Sequence, residues 1–259
     1  MLFLLILMKT LVLYVFHEYN VNVEYFIKNA IYYDENVDFI MIANNKNVKY
    51  ECPNYVKRLY RDNIGYDFGG WSEGILKDDL YKNYEYFIFV NSSVIGPILP
   101  LYNTKIWTDI YLEGLNEDVK LFGSSINTCV NNLHVKINTN REINSHVQSY
   151  IYSMNIETLE FLIQKEIFSL TNIYSDYTLT ILRKEIEMSY LILQNNWNIG
   201  CLIPYYKNVD FRKTSNFDKE YLDDIVGYNC YNIIWNEYDI VFIKINRNIN
   251  YSNYLRFKT

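Results

Sequence analysis

The sequence predicts a single α/β domain built on a doubly wound, mostly parallel sheet with helices on its faces. Short continuous apolar runs, the mark of strands buried on both sides, recur at 11–16, 39–43 and 86–90. Between them lie stretches whose apolar residues repeat at helical spacing. Strand, helix, strand, strand, helix, strand fits within the first 90 positions, and a chain of 259 residues suits one large domain.

The first strand is expected over 10–16, after an apolar extension at 1–9. That run is shorter than the about 20 residues a membrane span requires. A signal peptide would carry its charge before the apolar stretch and small residues after it; here Lys9 interrupts the run, which then passes into His17-Glu18-Tyr19-Asn20. The expectation is a cytoplasmic protein, with weak membrane association through the extension as the alternative. Val23, Phe26, Ile27, Ala30 and Ile31 then form the core face of a helix. The second strand, 39–43, ends in the turn pair Asn44-Asn45; a weaker third strand covers 56–60; a helix covers 71–81; and 86–90 is the fourth strand. The second half is less regular. A strand is expected at 119–123 and a helix along the stripe Ile156, Leu159, Leu162, Ile163, Ile167 and Leu170. A longer helix follows at 176–194, then a short strand at 198–203 and one or two strands within 231–244. No repeat or linker divides 10–100 from 101–259, so the two are read as halves of one domain.

A net charge of −6 with no basic block argues against nucleic acid as a partner, because phosphate contacts need a concentrated basic face. Cys52, Cys129, Cys201 and Cys230 lie too far apart for a zinc motif. Dispersed thiols suit a reducing compartment, with two disulfides as the alternative. Of the two glycosylation sequons, at Asn91 and Asn250, the first ends an apolar run and is read as unmodified.

Right-handed crossovers place the loops after the parallel strands along one sheet edge, where ligands bind. That edge collects His17, Asn44, the stretch 61–71 and the stretch 91–97. In Arg61-Asp62-Asn63-Ile64-Gly65-Tyr66-Asp67-Phe68-Gly69-Gly70-Trp71, three glycines let backbone approach a ligand and free amides for an anion. Asp67 could accept hydrogen bonds from ribose or sugar hydroxyls, and Arg61 could face phosphate. The spacing is neither G-x-G-x-x-G nor G-x-x-x-x-G-K, so dinucleotide and ATP readings lose support. A glycine-rich structural turn is the competing reading. Asn91-Ser92-Ser93 puts short polar side chains at a buried strand end, which calls for a ligand or a structured turn. His146, and Glu185 with Ser189 one helical turn later, are further candidates that would each, alone, be ordinary structural residues. A hydrolase elbow of the G-x-S-x-G type is absent.

Taken together, "RDNIGYDFGGW", "YEYFIFVNSSVIGPILP", "VKLFGSSIN", "HVQSYIYSMN", "KEIEMSYLILQNNWNIGCLIPYY" and "YDIVFIKINR" resemble the rhamnan-synthesis-F type of glycosyltransferases and their eukaryotic and viral relatives. These belong to the GT-A nucleotide-diphospho-sugar fold, and the stretches run in order from Arg61 to Arg247. The resemblance implies transfer of a sugar from a nucleotide diphosphate donor, carrying uridine or thymidine, to a glycan or other hydroxyl acceptor. It makes 10–100 the nucleotide-binding half and 101–259 the acceptor side. The implied donor-binding residues are His17, Asn44, Arg61, Asn63, Gly65, Asp67, Gly69, Gly70, Trp71, Asn91, Ser92, Ser93 and Lys244. Glu185 is the implied base for an inverting reaction; His146 is a second candidate catalytic residue, or shapes the pocket. Trp71, Tyr66 and Trp107 are either sugar platforms or core aromatics. GT-A enzymes commonly carry Asp-x-Asp after the fourth strand to hold a divalent cation, Mn2+ or Mg2+. Here that position reads Asn91-Ser92-Ser93, and amide and hydroxyl oxygens are weak ligands for a hard cation. A metal could bind through Asp67 or Glu185 with the donor phosphates, Asp67 and Asn91 being the candidate metal positions, or cations such as Arg61, Lys244 or Arg247 could replace it. A non-catalytic nucleotide-sugar or glycan binding module on the same fold is the competing function.

Overall fold

In the computed structural model, which describes residues 8–128, 145–213 and 236–245, the apolar runs become neighbouring strands of one sheet. Strand β1 (Thr10–Phe16) is buried throughout. Helix α1 (Val21–Asn29) starts where the Asn20 side chain accepts from the amides of Asn22 and Val23, satisfying donors that a helix start leaves open. Then come β2 (Val37–Ala43), β3 (Lys57–Tyr60), α2 (Tyr66–Leu76), β4 (Tyr86–Asn91) and the short β5 (Val94–Ile95). The second half adds α3 (Trp107–Leu112), β6 (Val119–Gly123), β7 (Ile126–Asn127), β8 (His146–Val147), β9 (Ile151–Asn155) and α4 (Ile156–Gln164). It continues through α5 (Tyr177–Thr180), a π-helical stretch (Ile181–Ile186), α6 (Glu187–Gln194), β10 (Asn198–Cys201), α7 (Glu237–Ile240) and β11 (Ile243–Lys244).

The central sheet has seven strands in the order β10-β6-β9-β4-β1-β2-β3. All are mutually parallel except β9, which runs antiparallel to both β4 and β6. This is a mixed, mostly parallel, Rossmann-type sheet, and it draws strands from both halves of the chain. Alternation along the strands sends Leu11, Leu13, Val15, Phe87 and Phe89 to one face and Val12, Tyr14, Phe16, Ile88 and Val90 to the other. After β3 the chain returns to pair β4 with the opposite side of β1, so the topological switch falls between β1 and β4. The carboxyl ends of those strands, with Val15 opposite Asn91, lie side by side at this edge, the place where a switch point opens a ligand crevice. Because β9 is reversed, it begins at this same edge and brings 145–150 to it.

Several elements differ from expectation. Helix α2 opens at Tyr66 and takes in Gly69, Gly70 and Trp71; the 3-10 turns of Lys77–Asn83 complete the segment expected to be helical. The glycines let this helix press onto the sheet. A Cβ on Gly70 would lie 2.7 Å from Val15 Cγ2, and one on Gly74 would lie 2.9 Å from Leu13 Cδ2 and from Ile42 Cδ1. Such contacts require the facing side chains to give way. Strand β9, in the middle of the sheet, and helix α3 were not expected. Ser153 interrupts the apolar character of β9, yet is fully buried because its Oγ donates to the carbonyl of Tyr111 at 2.9 Å. Helix α4 stops at Gln164, and Ile167 turns back with its amide on the carbonyl of Leu162 at 2.9 Å. Of the strands expected within 231–244, β11 is present and preceded by α7; 231–235 lie outside the described residues.

Among the described residues no helix is long and apolar enough to cross a membrane. Residues 1–7 of the apolar extension lie outside them, so nothing supports membrane association through that segment. Cys52 and Cys201 are free thiols; Cys129, Cys230, Arg247 and the Asn250 sequon lie outside the described residues.

Candidate active site

The turn between β3 and α2 is held from several sides. Gly65 has φ +75°, a conformation glycine adopts without strain, and a Cβ there would lie 2.4 Å from Ile173 Cγ2. Tyr66 follows with φ +51°, uncommon for a bulky residue. Two bonds hold it there: Asn44 Nδ2 donates to its carbonyl at 3.0 Å, and its hydroxyl donates to the carbonyl of Ser175 at 2.9 Å. Backbone held in such a region marks a position the surrounding structure over-determines. The next residue is Asp67.

Arg61, expected at phosphate, instead braces this turn. Its Nε donates to Glu73 at 2.8 Å, NH1 to Asn44 Oδ1 at 2.6 Å and NH2 to the carbonyl of Ile64 at 2.7 Å. The guanidinium is buried and its charge is matched by Glu73. Gly69 and Gly70 also differ from expectation. They lie inside α2, where the Gly69 amide donates to the carbonyl of Gly65 at 2.8 Å, so they serve close packing and offer no cradle of free amides. Trp71 is fully buried against Phe68, Phe89 and Tyr152. Trp107 is buried with its Nε1 on the carbonyl of Ala30 at 2.8 Å. Both are core aromatics, and neither presents a face to a sugar. Tyr66 packs edge-on against Tyr177. His17 is exposed at the carboxyl end of β1, with Nδ1 2.8 Å from the carbonyl of Asn44, which makes Nδ1 the donor. Asn63 is exposed, on the turn between β3 and α2.

Across the crevice, Asn91 Nδ2 donates to Asp67 Oδ2 at 2.8 Å. Asn91 Oδ1 accepts from the amide of Ser93 at 3.0 Å and from Ser93 Oγ at 2.5 Å, which fills both lone pairs. The corner is closed further by Ser92, whose amide donates to the carbonyl of Val15 at 3.0 Å and whose carbonyl accepts from Asn22 Nδ2 at 2.7 Å. Half-buried, Asp67 has its carboxyl pushed up to about 6, chiefly by burial. Its bond from Asn91 and the charge of Lys244 act downward, and the nearby Glu185 acts upward. Asp67 and Asn91 are thus in direct contact, and Glu185 and Lys244 lie near enough for their charges to act on Asp67. Glu185 stands on the π-helical stretch, an irregularity frequent at functional sites. Its Oε1 accepts from the amide of Ser149 at 2.9 Å, and Ser189, one turn on, accepts from the amide of Val147 at 3.0 Å. The pair thus fastens the segment that leads into β9. His146 is buried within that segment, opposite Asn127 on β7. Lys244 is half-buried, with its ammonium 5.7 Å from the centroid of the Tyr150 ring.

Sequence reasoning did not single out Tyr150 or Tyr152, which β9 and the residues before it bring beneath the site. The signal available was the tyrosine alternation in "SYIYSM". Tyr152 is fully buried; its hydroxyl has no hydrogen-bond partner among the described residues, and its phenol is held far up by burial and by Asp67 and Glu185. Replacing Tyr152 by Phe removes no hydrogen bond to the described residues. Stability in a thermal melt is expected to stay level or rise by up to about 1 kcal/mol; a loss beyond about 2 kcal/mol would reveal a bond there.

The Asn91-Ser92-Ser93 corner offers no carboxylate to a resident Mn2+ or Mg2+. Among the described residues no group of three or more His, Cys, Asp or Glu could hold a metal ion, and the amide oxygen of Asn91 is already filled.

The profile of the family described as Rhamnan synthesis protein F matches residues 29–246. The chain belongs to the rhamnan synthesis protein F family. That rhamnan synthesis F assignment gives the activity class, a glycosyltransferase of a polysaccharide-synthesis family. Asp67, Asn91, Glu185 and Lys244 fall within the match, and His17 precedes it. No curated protein matches the sequence. Among solved structures, a glycosyltransferase involved in the glycosylation of the major capsid of PBCV-1 is similar at 12% identity and a TM-score of 0.31. The similarity covers 67% of this chain and 75% of that one.

Proposed function

We propose that this protein transfers a sugar from a nucleoside diphosphate donor to a hydroxyl of a glycan, with the donor lying in the crevice between β1 and β4. The observation that carries this reading is the Asp67–Asn91 hydrogen bond of 2.8 Å, which joins the start of α2 to the end of β4 at the switch point. Asp67 accepts hydrogen bonds from ribose or sugar hydroxyls of the donor. Glu185, oriented by the Ser149 amide, is the base in an inverting displacement. It takes the acceptor's proton as the acceptor oxygen bonds to the anomeric carbon, and the bond to the diphosphate oxygen breaks, releasing the nucleoside diphosphate.

A thermal-shift panel of nucleoside diphosphates tests the reading, because a ligand of the native state raises the melting temperature. Uridine or thymidine diphosphate is expected to stabilise wild type and Glu185→Gln alike. Transfer by Glu185→Gln should fall by about 100-fold or more. A panel in which no nucleotide moves the melt overturns the proposal. A binding module without turnover is the second reading, favoured by the absence of carboxylates from the Asn91-Ser92-Ser93 corner. It would show nucleotide binding with no donor hydrolysis by wild type.

A further inference from the structure

We infer that Lys244 takes the place of a divalent cation at the donor diphosphate, so that nucleotide binding by this chain needs no metal. The inference rests on the donor reading above. A departing diphosphate accumulates negative charge, and fixed positive charge must meet it. The corner that faces the crevice supplies only Asn91, Ser92 and Ser93, and the Asn91 amide oxygen already accepts two hydrogen bonds. The remaining carboxylates, Asp67 and Glu185, are each engaged, one by Asn91 Nδ2 and the other by the Ser149 amide.

The structure separates the cations near this edge. Arg61 is turned inward, bonded to Glu73, Asn44 and the carbonyl of Ile64. Lys184, next to Glu185 in sequence, is buried, donates to the carbonyl of Glu166 and lines a small cavity behind Gly65 and Gly69. Lys244 is different. Pairing of β11 with β5 sets it opposite Val94, and the amide of the following residue, Ile245, donates to the carbonyl of Ser93 at 3.2 Å. Its backbone is therefore stitched to the corner where the metal-binding carboxylates are missing. Its charge reaches Asp67, and its ammonium rests on the Tyr150 ring with no carboxylate in ion-pair contact among the described residues. An ammonium has three donors and no acceptor, and suits phosphate oxygens as a point charge. Among the described residues a ring face alone holds it, which leaves its three donors for a ligand.

Calorimetric titration of the full chain with uridine diphosphate and thymidine diphosphate, in EDTA and again in Mn2+, tests this. Affinity is expected to agree within about threefold between the two buffers. Lys244→Met should weaken binding by about tenfold or more in both while the melting temperature of the free protein holds, and Lys244→Arg should restore part of the loss. Binding that vanishes in EDTA, or a Lys244→Met protein that binds as wild type does, overturns the inference and leaves the donor reading standing. Absence of binding in both buffers overturns the donor reading and this inference with it.

Discussion

Asp67→Asn is expected to give a protein that melts higher than wild type and barely binds donor. In the fold the Asp67 carboxyl titrates near 6 because burial disfavours its charge, against an ordinary value of 3.8. A shift of that size corresponds to about 3 kcal/mol, and partial exposure lowers the usable figure to about 1–3 kcal/mol. Asparagine keeps the shape, carries no charge and still offers an oxygen to Asn91 Nδ2. The sign follows from a folded-state value above the unfolded one. The stabilising contribution of protonated Asp67 is fully present below about pH 4 and is lost as pH rises through about 6. Wild type should therefore fall behind the variant across that window and stay behind above it. Donor affinity, read by titration at pH 7.5, should drop by about 30-fold or more, because a charged acceptor of ligand hydroxyls is gone. A variant less stable than wild type at neutral pH would make Asp67 a structural residue.

Gly69→Ala is expected to cost about 3 kcal/mol or more, or to prevent folding, as read from the denaturation midpoint. The added Cβ would lie 2.0 Å from the carbonyl oxygen of Ile64 and 3.1 Å from Arg61 NH2. That carbonyl is the acceptor for Arg61 NH2, so any shift that relieves the clash also loosens the brace on the turn. A Gly69→Ala protein that folds with wild-type stability and loses only nucleotide binding would return this glycine to the role of a ligand cradle.

The strands at 11–16, 39–43 and 86–90 were legible because burial on both faces leaves nearly unbroken apolar runs. The meeting of Asp67 with Asn91 followed from topology alone, since right-handed crossovers bring successive loops to one edge. What could not be read locally depended on distant partners. Gly69 and Gly70 have poor helix propensity, and only the nearness of Val15 and the Ile64 carbonyl explains them inside α2. Arg61 looked like a phosphate ligand because its partner Glu73 lies a full turn and helix entry away. Strand β9 escaped because Ser153 reads as polar until Tyr111 supplies its acceptor. Glu185 and Ser189 were placed on one helical face correctly, but their hold on the 147–149 backbone has no trace in their own spacing.

The reversed strand has a consequence for synthesis. As the chain leaves the ribosome, β4 can pair with β1 at once, but its other edge belongs to β9, which comes later than helix α3 and strand β6. Until then that edge presents unpaired amides and carbonyls between Phe87, Ile88, Phe89 and Val90, a template for adhesion to other nascent chains. Slow translation across 92–150 prolongs that exposure, and quick delivery of Ile151–Asn155 ends it.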